Sequence, residues 1–270
     1  MEIDRCKITL LNFDDSLKMQ KVLQTYPHQW IDCSRIPGTN GFCDRQSLRM
    51  IRKKLREAGT STLTFIGNGN YHYVTYLLLE CIQIPFSLVL FDHHSDMNER
   101  GPLLSCGSWV THAMLDLPSL QKVVILGVNR EDARKPQPFA PKPVLMIHEE
   151  KFIRTPLHLI VNAIHSFLKD EEAIYISIDK DVLEEKEVQT NWDQGSMSLV
   201  QMLYILEKLA KRFSILGMDV CGEYMKRSND VLQVSSRYLV NMNEIVNRAL
   251  VNFARYSGLV HFSSMESIQL

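Results

Sequence analysis

The chain has 270 residues, with 30 basic against 31 acidic side chains for a formal charge of −1, and 45% of it is hydrophobic. This is an ordinary globular composition, long enough for one large α/β unit. The balanced charge excludes an overall field favouring nucleic acid, anionic lipid or a polyanionic substrate, so recognition has to be local.

Six cysteines, at 6, 33, 43, 81, 106 and 221, form no C-x-x-C pair, which fits reduced thiols better than a disulfide framework or a structural zinc site. The opening "MEIDRCKITL" carries charges too early for a signal peptide. No run approaches the roughly 20 apolar residues of a membrane span. The expectation is a cytoplasmic protein forming one domain over residues 1–270, with no nucleic-acid or membrane partner.

In chain order, "RQSLRMIRKKLREAG" places Leu48, Ile51 and Leu55 on one helical face, with its charges on a solvated face. The strand-like run "STLTFIG" is followed by a helical "YHYVTYLLLECI" and a second apolar run, "FSLVLFD". Further strand-like runs are "VVILGV", "VLMIH", "AIYISID" and "SILGMDV". Between the first two of these, residues 131–143 hold four prolines and read as a surface loop. Ser198 with Gln201 and Asn241 with Glu244 resemble capping boxes opening two helices, the second closed by Gly258. Alternating strand and helix predicts an α/β fold with a mainly parallel sheet covered on both faces.

The chemistry concentrates where strands end. In extended backbone alternate side chains point the same way, so Asp92, His94 and Asp96 of "DHHSDM" project together while His93 and Ser95 face away. "AIYISIDKDVL" repeats the device with Asp179 and Asp181, and the turn "NGNYH" after a third strand offers His72. Open parallel sheets place ligand sites at such carboxyl ends. Four carboxylates cannot share a low-dielectric crevice as bare anions, because repulsion and desolvation would protonate them. Two divalent cations solve this, with Asp92, Asp96, Asp179, Asp181, His72 and His94 as ligands. Oxygen-rich ligation with some imidazole and no thiolate favours Mn²⁺ over Zn²⁺.

These residues resemble the ureohydrolases, the family of arginase, agmatinase and formiminoglutamase. Members carry G-G-D-H-S, D-A-H-x-D and S-x-D-x-D-x-x-D-P in this order, and "GNYHY", "DHHSD" and "SIDKDVLEE" stand at comparable spacing. The resemblance implies a three-layer α/β/α fold with about eight strands, and trimeric or hexameric assembly. It assigns one manganese to His72, Asp92, Asp96 and Asp179 and the other to His94, Asp92, Asp179 and Asp181. It further implies that a metal-bridging hydroxide attacks the amidine carbon of a guanidino, amidino or formimino substrate, with Asp96 receiving the proton. Asn98 falls where arginases contact the substrate's amino-acid end.

Four departures accompany it. Tyr71 replaces the aspartate of the first motif, and Glu184 and Glu185 the Asp-Pro of the third. Cys106 of "SCGSW" occupies the proton-shuttle position held by histidine in arginases, with an ordinary thiol pKa of about 8.5 against about 6.5 for imidazole. Glu223 is the candidate acid for gripping the guanidinium, one residue further from Asp219 than the family spacing. These departures keep open a second reading, a member that holds metals without the family's hydrolysis. A third is a deacetylase-like amide hydrolase using one zinc. No G-x-G-x-x-G or P-loop follows any strand, which argues against a nucleotide-binding module. Trp109 and Tyr71 read as packing residues, and His93 as a hydrogen-bonded core residue.

Overall fold

The computed structural model describes residues 3–134, 140–225 and 233–262. Eight strands form one sheet: β1 (Ile8–Asn12), β2 (His28–Asp32), β3 (Leu63–Gly67), β4 (Phe86–Phe91), β5 (Leu120–Val128), β6 (Val144–His148), β7 (Ala173–Asp179) and β8 (Ser214–Cys221). Their spatial order is β6-β5-β4-β7-β8-β3-β1-β2, and every neighbouring pair is parallel. Six strands are the apolar runs read from the sequence, and β1 and β2 extend the sheet at one edge.

The central strands are apolar throughout because both faces are covered. In β4, Leu88 and Leu90 pack into one core while Val89 and Phe91 pack into the other. The first core is closed by α1 (Arg45–Ala58), through Ile51 and Leu55, and by α2 (Trp109–Asp116), through Trp109 and Val110. The second is closed by α3 (Leu157–Phe167), α4 (Leu199–Arg212) and α5 (Gln233–Tyr256). The expected three-layer α/β/α sandwich is thus the observed one. Among the described residues no helix is long and apolar enough to cross a membrane.

Local signals hold with two corrections. Asp44 caps α1, accepting from the backbone N–H groups of Gln46 and Ser47, and Ser198 with Gln201 forms a reciprocal capping box on α4. Asn241, expected to open a helix, lies inside α5, which already runs from Gln233. Its partner Glu244 instead accepts from the Val22 N–H at 2.9 Å, because α5 packs against the N-terminal segment. The proline-rich loop begins with a short helix, Arg130–Arg134, which ends before the first proline, and 135–139 lie outside the described residues.

One polar cluster ties α5 to the sheet. Lys180, directly after β7, is fully buried. Its Nζ donates to Glu223 Oε1 at 2.7 Å, Asn243 Oδ1 at 2.6 Å and Asn247 Oδ1 at 3.2 Å, and Asn247 Nδ2 also donates to Glu223 Oε1 at 2.7 Å. Removing one partner of a buried ion pair strands the other charge. Lys180→Met is therefore expected to lower stability by about 3–5 kcal/mol, and adding Glu223→Gln to recover much of it. Equilibrium urea unfolding checks both; a Lys180→Met chain as stable as the parent contradicts the clamp.

Candidate metal centre

Strands β4, β7, β8 and β3 lie side by side, and their carboxyl ends deliver the ionisable groups to one crevice. His72 follows the short 3-10 turn Gly69–Tyr71 after β3. Its Nδ1 lies 3.1 Å from Asp96 Oδ2, 3.2 Å from Asp92 Oδ2 and 3.7 Å from Asp179 Oδ2. His94 Nδ1 lies 3.0 Å from Asp181 Oδ2 and 3.5 Å from Asp92 Oδ1. All six side chains expected as ligands thus converge: five form two triads that share Asp92 (His72, Asp92, Asp96 and Asp92, His94, Asp181), and Asp179 joins through His72.

A network behind the ligands sets their orientation. His72 Nε2 meets Ser177 Oγ at 2.9 Å, and Ser177 Oγ and Thr75 Oγ1 both donate to Asp219 Oδ1, at 2.7 and 3.0 Å. Burial pushes the Asp219 carboxyl up to about 6. Trp109, expected only to pack, is fully buried and also donates its indole N–H to Asp96 Oδ2 at 2.6 Å. Asp96 itself sits at φ +50°, a left-handed conformation that aspartate tolerates better than most residues. The comb is therefore bent at its tip instead of fully extended. Gly222, at φ +88°, packs so closely that a Cβ there would stand 2.5 Å from Asp179 Oδ1.

The electrostatics are those of a site built for cations. Burial, and then the Asp92 charge, pushes Asp96 up to about 7. Burial and neighbouring carboxylates likewise raise Asp179 and Asp181. Asp92, although buried, is held down to about 2 by His72 and His94. His72 Nδ1 is buried and makes no hydrogen bond, although three carboxylates surround it. An orphaned imidazole nitrogen among carboxylate oxygens is a donor set that fits divalent metal.

A cavity of about 330 Å³ opens over the cluster, lined by the six ligand candidates together with Asn98, Cys106, Asp132 and Trp192. Asn98 and Cys106, expected at a substrate-contact and a proton-shuttle position, both line this cavity. Burial, and then the Asp96 charge, pushes the Cys106 thiol up to about 12, well above the free-thiol value expected from sequence. Glu223, expected to grip the substrate, is the clearest departure. It is buried, its Oε1 accepts from Lys180 and Asn247, and it is not among the residues lining the cavity. Tyr71 stacks on Phe13, as read; His93 is buried outside the cluster, facing Glu149 and Asp193 at 3.9 and 3.7 Å, and its Nδ1 makes no hydrogen bond. Sequence reading missed Asp132, which accepts from Ser95 N–H and Oγ, and Trp192, whose indole N–H donates to Asn70 Oδ1. Neither carries a spacing that would have marked it.

The arginase-family sequence profile matches residues 7–224, a span containing every strand of the sheet and all six ligand candidates. The chain belongs to the arginase family. An uncharacterized protein of Thermotoga maritima is 35% identical over 216 residues, covering 80% of this chain and 79% of that one. Solved structures sharing the fold include proclavaminate amidino hydrolase from Streptomyces clavuligerus, with TM-score 0.66 and 15% identity over 94% of this chain and 92% of that one. Formimidoylglutamase from Bacillus subtilis matches at TM-score 0.63 and 13% identity, covering 91% and 88%. Arginase from Entamoeba histolytica matches at 0.61 and 14%, covering 90% and 99%. Several arginase-family folds thus superpose on this one at low identity.

Ligation needs ionised carboxylates and neutral imidazoles, so binding releases protons and must strengthen as pH rises. With Asp96 near 7, that group alone gives roughly a tenfold loss of Mn²⁺ affinity between pH 8 and pH 6. Competition titration with a metal indicator measures it; a pH-independent affinity contradicts the site.

Proposed function

We propose that this chain is a metal-dependent hydrolase cleaving a C–N bond in a guanidino, amidino or formimino compound. The carrying observation is the pair of triads sharing Asp92 under one cavity. His72, Asp92, Asp96 and Asp179 would hold one cation, and His94, Asp92, Asp179 and Asp181 the other, with Mn²⁺ the ion expected from the ligands read in sequence. Bound there, two divalent cations supply a water of lowered pKa as nucleophile at neutral pH and polarise the substrate.

The chain's own residues do the rest. Asp96, fixed by the Trp109 N–H, stands at the base of the cavity with a carboxyl poised near 7, suited to taking the proton released during attack. Asn98 offers an amide on the cavity wall for the part of the substrate remote from the reacting carbon. Cys106, with its thiol held protonated, serves as a donor of a hydrogen bond and is a poor proton shuttle at neutral pH. The reading includes a homo-oligomer, trimeric or hexameric, supported by an exposed stripe on α5 formed by Tyr238, Ile245 and Tyr256. A second reading, metal binding without hydrolysis, draws on the same Cys106 and on the clamped Glu223.

Incubating Mn²⁺-loaded protein with a panel of guanidino, amidino and formimino compounds should release urea, ammonia or formamide. Asp96→Asn should reduce turnover by about 10²- to 10⁴-fold. Full metal loading with no turnover across the panel would favour the second reading.

A further inference from the structure

The sequence puts only oxygen and imidazole donors at this site, and the structure adds a sulfur. In the parallel register of β7 and β8, Ser177 lies beside Asp219 and Asp179 beside Cys221. Alternation along β8 sends Asp219 and Cys221 to the same face, the face on which His72 lies. Asp219 there anchors the histidine through Ser177. One step nearer the strand ends, Cys221 is fully buried with its Sγ 3.1 Å from Asp179 Oδ2. A donor atom from each of His72, Asp179 and Cys221 lies within 4.8 Å of the other two. The buried Nδ1 of His72, facing three carboxylate oxygens at 3.1–3.7 Å without making a hydrogen bond, points independently to a ligand in this corner of the site.

We propose that Cys221 is a thiolate ligand to the cation held by His72 and Asp179. The inference rests on the metal-binding reading above and sharpens it. Thiolate sulfur selects borderline and soft ions over hard ones. The His72 position therefore takes Zn²⁺, Co²⁺ or Fe²⁺ in preference to Mn²⁺, while the Asp92, His94, Asp181 triad, with oxygen and imidazole donors only, keeps the harder ion. Ligation breaks the S–H bond and forms a sulfur–metal bond; the proton leaves to solvent and no electron is transferred. Cys106, on the cavity wall, belongs to a different part of the site.

Co²⁺ loading of the full chain tests this. The parent protein should bind two Co²⁺ per chain and develop a near-ultraviolet sulfur-to-cobalt charge-transfer band, retained in Cys106→Ser and lost in Cys221→Ser. Zinc K-edge X-ray absorption on the unmutated, Zn²⁺-loaded protein needs no variant and should require one sulfur at about 2.3 Å. Two bound Co²⁺ without the band, a band that survives Cys221→Ser, or a zinc shell of nitrogen and oxygen alone overturns the thiolate while leaving the metal pair intact. Failure to bind Co²⁺, Zn²⁺ or Mn²⁺ at all overturns both.

Discussion

Four carboxylates brought together in a buried crevice repel one another, and that repulsion is the constraint around which this molecule is organised. In the protein alone it is met by imidazoles and by raised carboxyl pKa values, Asp96 reaching about 7. Such a cluster stores unfavourable electrostatics that opposite charge relieves. The sheet can hold it because β4 and β7 are buried along their whole length and pair up to Phe91 and Ile178, the residues directly before Asp92 and Asp179, which are themselves tied to Leu126 and Cys221 on the flanking strands.

The architecture delivers these groups through order, not proximity in sequence. β3 and β4 follow one another in the chain, yet β7 and β8 are inserted between them in space. The crevice over these four strand ends is where an open parallel sheet leaves room for a ligand. Behind it, the path from His72 through Ser177 to Asp219 crosses three of the four strand segments and holds the imidazole by its far nitrogen.

Much of this was legible in the chain. The apolar runs gave six of the eight strands, and the alternation in "DHHSDM" and "SIDKDV" gave five of the six ligand candidates, with His72 the sixth from its turn. β2 was harder because "HQWID" is too polar at a sheet edge to announce itself. Asp96 was placed on the right side, but its left-handed bend was invisible. What pattern could not supply was lateral register. Cys221 lies 42 residues from Asp179, and only the pairing of β8 with β7 makes them neighbours. The pairing of Glu223 with Lys180, 43 residues away, was hidden for the same reason.

That lysine gives the molecule an unexpected dependence. Lys180 stands one residue from Asp179 and one from Asp181, and two of its three polar partners, Asn243 and Asn247, belong to α5, beyond the stretch that matches the family profile. The stiffness of this ligand-bearing turn is therefore governed remotely, by a helix that supplies none of the ligand candidates. Relatives could share every ligand yet differ in how firmly the turn is braced, so the C-terminal helix is a lever through which divergence can tune the centre without altering its composition.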